Sequence, residues 1–288
     1  MITGDSSIFE IAIEDIPQAL MDEVTGALQH FAVPLLKAPP SGERWESFPI
    51  GGTGTLVHID GTHFILTASH VWREIKKSSD VFLLLKNTPS RYVISTNSLS
   101  AQELARTGPE AWGPDLALVK IPHMHVSTIA ASKSFLNLSG HRAEFAAKPC
   151  PVEKGFWVVF GLVHEFSHLE VDESAKTITA QSVGRGLFSV IDETHEREGC
   201  DFLDISVNAK LDGVPRSFGG VSGGGLWRID LQKSRSTGAI TWDGKRHFRG
   251  VAFWQSDEEN GHKVVRCHGP RSIFDKAWQA WGLGATQQ

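Results

Sequence analysis

Phe218-Gly219-Gly220-Val221-Ser222-Gly223-Gly224-Gly225-Leu226-Trp227 is the stretch on which the reading of this chain turns. A serine hydroxyl is a weak nucleophile unless a base removes its proton and donors await the oxyanion that forms. Glycines on both sides of Ser222 clear the approach to its hydroxyl. They also free backbone N–H groups to converge on one point. By itself the stretch reads better as a glycine-rich turn between strands, and that plainer account stands unless other residues supply a base.

Working outward, two upstream stretches supply one. Phe64-Ile65-Leu66-Thr67-Ala68-Ser69-His70-Val71-Trp72 reads as a buried strand running into a turn, with His70 at its end. Gly113-Pro114-Asp115-Leu116-Ala117-Leu118-Val119-Lys120-Ile121 reads as a loop feeding a strand, with Asp115 at the junction. Alone, either residue would be read as structural. Together the three stretches provide base, orienter and nucleophile in the order His, Asp, Ser.

These stretches carry a resemblance. Thr67-Ala68-Ser69-His70 resembles the histidine motif of chymotrypsin-fold serine proteases, and Asp115-Leu116-Ala117-Leu118-Val119-Lys120 is similar to their aspartate motif. Gly220-Val221-Ser222-Gly223-Gly224 resembles their serine motif, and Gly52-Thr53-Gly54-Thr55-Leu56-Val57 the strand before the histidine. The resemblance implies an all-β, chymotrypsin-like fold of two antiparallel six-stranded β-barrels, with an added N-terminal helix and a C-terminal helix. It implies a trypsin-like serine endopeptidase: Ser222 attacks, His70 carries the proton, and Asp115 holds the imidazole. The N–H groups of Gly220 and Ser222 would form the oxyanion hole. Neither metal nor cofactor is expected.

For substrate binding, the residue six before the family's nucleophile lies at the floor of the side-chain pocket, which would place Arg216 there. An arginine at that point would favour Asp or Glu. Trp254 would form a flat wall. Gln255 stands where the family usually has glycine, so a partly filled pocket favouring small residues is the other expectation. The plainer account leaves Arg216 in solvent. Val221 replaces an aspartate that, in digestive relatives, pairs with a newly cut N-terminus, so no activating cleavage is expected.

Composition limits the other classes. The chain has 288 residues, 41% hydrophobic and 21% charged, which is ordinary for a folded domain. A net charge of −5 without a basic run argues against nucleic-acid binding. Three cysteines, Cys150, Cys200 and Cys267, cannot all pair and show no C-x-x-C spacing, which suits a reducing compartment. No signal peptide or membrane-length apolar run is read. Taken with this composition, the resemblance implies a cytoplasmic, prokaryotic relative acting on a specific protein partner, with or without a regulatory partner. Some such relatives serve antiphage defence.

Four segments are expected: residues 1–44 as an N-terminal helix and linker, 45–125 as a first barrel, 126–150 as an unpatterned connection, and 151–288 as a second barrel with a closing helix. Leu20, Val24, Ala27, Leu28 and Phe31 form one apolar stripe, predicting a helix over 15–31, and Pro34, Pro39, Pro40, Ser41 and Gly42 a linker after it. Asp60-Gly61 predicts a hairpin turn, and Asn87-Thr88-Pro89-Ser90 a second connection. A short helix is expected at 100–106. Ser272 and Asp275 suggest a capping box for a helix ended by Gly282.

Other motifs compete. His164-Glu165-Phe166-Ser167-His168 is a literal zinc-protease pattern, but that chemistry needs a helix and the flanking residues read as strand. Gly220-Val221-Ser222-Gly223-Gly224 also satisfies the α/β-hydrolase pattern, yet no helix or βαβ unit follows. His195, Cys200, Cys267 and His268 have no ligand-like spacing. A protease-like scaffold used only for binding is the remaining alternative.

Overall fold

The structure, a computed structural model, describes residues 11–37, 50–85, 91–105, 112–147, 155–172, 177–181, 183–210 and 214–283. The turn at 87–90, Pro39 to Gly42 and Cys150 lie outside the described residues. Helix α1 (Gln18–Leu28) forms on the predicted stripe and buries Leu20, Val24 and Leu28. Strand β1 (Ala32–Lys37) follows after a 3₁₀ turn at Gln29–Phe31. It enters where a linker was expected. Pro34 is tolerated there because β1 begins to pair its second neighbour only at Leu35, so the missing N–H costs no ladder bond.

The next strands are β2 (Ile50–Ile59), β3 (Thr62–Thr67), β4 (Asp80–Leu84), β5 (Arg91–Ser95), β6 (Ser100–Ala105) and β7 (Asp115–Lys120), with helix α2 (Ser69–Ile75) after β3. Asp60 and Gly61 both take positive φ, and His58 faces His63 across the hairpin as the sequence requires. The expected helix at 100–106 is β6: pairing with β7 over its whole length overrides helix-favouring residues such as Gln102, Glu103 and Leu104. The connection expected to be unpatterned contains α3 (His123–Ala130), β8 (Leu136–Asn137) and α4 (Leu138–Ala147). Helix α4 buries only Leu138, so it leaves no apolar stripe for a sequence reading to find.

The remaining strands are β9 (Phe156–Leu162), β10 (His168–Asp172), β11 (Thr177–Gln181), β12 (Gly184–Ser189), β13 (Ile191–Arg197), β14 (Cys200–Asn208), β15 (Gly225–Lys233), β16 (Ile240–Gln255) and β17 (His262–His268). A π-turn at Ser272–Ala277 runs into α5 (Trp278–Ala280). Gly282 (φ 64) ends it, as expected, but no capping box forms. Asp201 of β14 takes that role, accepting from the N–H groups of Arg271 (3.1 Å) and Ser272 (2.6 Å).

The fold is mostly β. One sheet of eight strands runs β5-β4-β1-β2-β3-β7-β6, with β8 added in parallel to β2, and a sheet of seven runs β12-β9-β15-β16-β17-β14-β13. Apart from β8, all ladders are antiparallel. Six-stranded barrels were expected; sheets of eight and seven strands are found, because β1 and the short β8 join the first and the charged edge strand β13 joins the second. Strand β1 belongs to the first sheet while α1 packs on β12 and β16 of the second, so the N-terminal segment laces the two together. No helix among the described residues is long and apolar enough to cross a membrane.

Candidate active site at the seam of the two sheets

The loop carrying Ser222 leads into β15 of the second sheet and is clamped to β2 of the first. Thr53 does most of this: its N–H donates to the Ser222 carbonyl (2.8 Å) and its Oγ1 to the Gly220 carbonyl (2.7 Å). The same Oγ1 accepts from the Leu162 N–H (2.9 Å), while Thr67 Oγ1 holds the Thr53 carbonyl (2.7 Å). Gly223 sits in this clamp at φ 86, where an added Cβ would lie 1.9 Å from the Thr53 carbonyl oxygen, so only glycine fits. Gly220 (φ 90) is the third residue of a turn closed by Val221 N–H to the Phe218 carbonyl (3.0 Å), the type II geometry that selects glycine. Val221 itself is buried.

An account of the loop's N–H groups is informative. Phe218 donates to Gln255 Oε1, Gly219 to Ser217 Oγ, Val221 to the Phe218 carbonyl, Gly223 to Ala252 and Gly224 to Val221. Among the described residues, none accepts from the N–H of Gly220 or of Ser222. The two groups named from sequence as oxyanion donors are the two the loop leaves over.

His70 and Asp115 come together from separate elements. His70 lies in the first turn of α2, and Asp115 opens β7. Asp115 Oδ1 accepts the His70 backbone N–H (2.9 Å), and its Oδ2 lies 2.5 Å from His70 Nδ1. The carboxylate thus caps the helix and orients the ring in one arrangement, with Nδ1 directed toward Asp115. Burial pushes the Asp115 carboxyl up, but the hydrogen bond and charge of His70 and the His70 N–H outweigh it and hold it below its ordinary value. Helix α2 is fixed to β6 through Glu103, which binds Ser69 Oγ, Arg73 Nε (2.8 Å) and Lys76 Nζ (3.1 Å).

Behind Asp115 stands His268, to which the sequence assigns no part in the triad. Its Nε2 accepts the Asp115 N–H (3.0 Å), and its ring stacks on Phe253 (centroids 4.3 Å apart). Burial keeps this imidazole neutral, its pKa lowered to about 3.

A cleft of about 260 Å³ opens beside Ser222, with His70 and Ser222 in its lining together with Trp254 and Gln255. Arg216 is not brought there. It is exposed; its N–H donates to Glu165 Oε2 (2.7 Å), and its carbonyl accepts from Lys263 Nζ. Trp254 is steadied by the Arg266 guanidinium, 5.1 Å from its ring centre, which also lies over Trp112 and forks onto Asp204.

The competing motifs come apart in space. His164, Glu165 and Phe166 form a single 3₁₀ turn and His168 opens β10, so no helix presents the two histidines on one face. Glu165 instead ties down residues 216 and 217. His195 lies near Asp204 (3.1 Å) and Glu193 (3.3 Å), a trio close enough to share a cation, but Asp204 is already held by Arg266. Cys200 and Cys267 are buried free thiols, both pushed up by burial, and they form no cluster with His195 or His268.

A comparison of the chain with models of known families finds no match, and none is found among curated proteins.

Proposed function

We propose that the protein is a serine endopeptidase working through an acyl-enzyme. One observation carries the reading: a nucleophile candidate and an oriented imidazole line one cleft, and the loop that bears the nucleophile leaves two N–H groups without an acceptor among the described residues. In the first step Ser222 Oγ bonds to the substrate carbonyl carbon while its proton passes to His70 Nε2. The carbonyl π pair moves to oxygen, where the Gly220 and Ser222 N–H groups receive it. Collapse breaks the C–N bond, and the departing nitrogen takes the proton from Nε2. Water then adds to the acyl carbon with its proton going to Nε2. When the acid leaves, that proton returns to Ser222 Oγ.

Asp115 supports this cycle by fixing the tautomer and by stabilising the imidazolium formed at each addition. The burial of Val221 and the Thr53 clamp support a donor loop that is set by packing, with no ion pair from a cut terminus. The resemblance to chymotrypsin-fold proteases rests on the motifs that carry His70, Asp115 and Ser222.

The test is labelling with a small fluorophosphonate followed by peptide mapping. Modification of Ser222, absent in Ser222→Ala and suppressed in His70→Ala, is expected. An intact folded chain that does not label, or labels elsewhere, would refute the reading and favour a binding scaffold.

A further inference from the structure

We propose that the cleft beside Ser222 accepts a small uncharged aliphatic side chain, of the size of alanine or valine, on the acyl side of the cleaved bond, with Gln255 setting the limit. The inference rests on the hydrolase reading above.

A carbonyl placed over Ser222, with its oxygen toward the Gly220 and Ser222 N–H groups, sends the neighbouring side chain into this cleft. Its walls are Phe218, Val221, Ala252, Phe253, Val265 and Gln255. Among the described residues, no Asp, Glu, Lys or Arg contributes to the lining. A charged side chain entering it would lose hydration with nothing to replace it. Arg216, the one residue that could have supplied a counter-charge by its sequence position, is exposed, and the Lys263 ammonium is bound to the Arg216 carbonyl.

Size is set by two residues that face each other. Gln255 of β16 and Val265 of β17 are register partners and both line the cleft. The Gln255 side chain then spans to the opposite wall, where its Oε1 accepts the Phe218 N–H (2.9 Å). It is a crossbar between strand and loop. A long or aromatic side chain must break this bond, stranding the N–H of a buried residue beside an apolar surface. A methyl or isopropyl group stops short of it. The cleft of about 260 Å³ must also hold the peptide unit over Ser222, which leaves modest room beyond.

The experiment is a peptide library varied at that position, run on protein shown to label at Ser222. The expected result is kcat/KM for Ala or Val at least about tenfold above Lys, Arg, Asp, Glu or Phe. In Gln255→Gly the ratio of Phe or Met to Ala should rise about tenfold. Because it is a ratio within one protein, a general loss of activity cancels. Val265→Ala should move it in the same direction and serves if Gln255→Gly does not fold. Labelling accompanied by a preference for charged or aromatic residues, or a ratio unmoved in the folded variants, overturns the proposal alone. A folded wild type that fails to label overturns the hydrolase reading and this inference with it.

Discussion

Acid should weaken the fold through two buried imidazoles, and the size of the effect can be worked out. Burial lowers His268 from 6.5 to about 3, and His141 from 6.5 to about 4. Between those native values and 6.5, the unfolded chain binds protons that the native state does not. Stability therefore falls as pH falls through that window and is fully retained above it. At about pH 5 both native values lie well below the solution pH, so the loss is governed by the unfolded value, and each histidine contributes about 2 kcal/mol. Asp115 does not offset this, because its stabilising contribution, from a carboxyl held below 3.8, is lost only at still lower pH. The expected drop is about 4 kcal/mol between about pH 7.5 and pH 5, a large part of a typical folding free energy. Urea unfolding followed by the fluorescence of the nine tryptophans at the two pH values measures it. His268→Gln keeps an acceptor for the Asp115 N–H without titrating, so it should lose about 2 kcal/mol less than wild type over the same interval. His141→Gln should behave alike. A pH dependence identical in wild type and in His268→Gln would refute the assignment of a neutral His268 behind Asp115.

Other substitutions probe the clamp and the imidazole. Gly223→Ala places a methyl 1.9 Å from the Thr53 carbonyl oxygen at a positive φ, and should cost about 2–5 kcal/mol. A thermal midpoint lowered by less than about 2 °C would contradict that. Thr53→Val removes the hydroxyl that serves both the Gly220 carbonyl and the Leu162 N–H; a loss of about 2–4 kcal/mol is expected in urea, together with slower fluorophosphonate labelling. A change under about 0.5 kcal/mol would show the clamp to be unimportant. Asp115→Asn should lower kcat about 10⁴-fold by stabilising the wrong His70 tautomer, and activity within tenfold of wild type would sink that role.

Much of the β architecture is legible locally. Asp60-Gly61 between alternating residues yields its hairpin, and the Leu20-Val24-Leu28 stripe yields α1, because turn stereochemistry and helical period act over a few neighbours. Two strands of the second sheet escaped. β13 is a charged edge strand whose exposed Glu193 and Glu196 carry no alternation of apolar residues, a pattern that suits an edge and hides the strand. β17 carries lysine, arginine and two histidines among its seven residues, and their partners lie far off in the chain, as Asp204 does for Arg266 and the Arg216 carbonyl for Lys263.

The site divides the same way. His70, Asp115 and Ser222 could be named from sequence because each lies at or close to a strand end within a recognisable local pattern, and the structure brings His70 to Asp115 and both His70 and Ser222 to one cleft. What holds them was not legible. Asp115 caps α2 from 45 residues away, Thr53 grips the Gly220 carbonyl across 167, and His268 reaches the Asp115 N–H across 153. The sequence does not encode such pairs as any short-range pattern. A hydroxyl or imidazole is chosen by the one buried backbone group it must satisfy, and that group is defined only once the two sheets have met. Arg216 shows the converse. The resemblance implies a place for it at the pocket floor, but its backbone N–H is bound to the Glu165 carboxylate and the residue is exposed, so only the packed loop decides what lines the cleft.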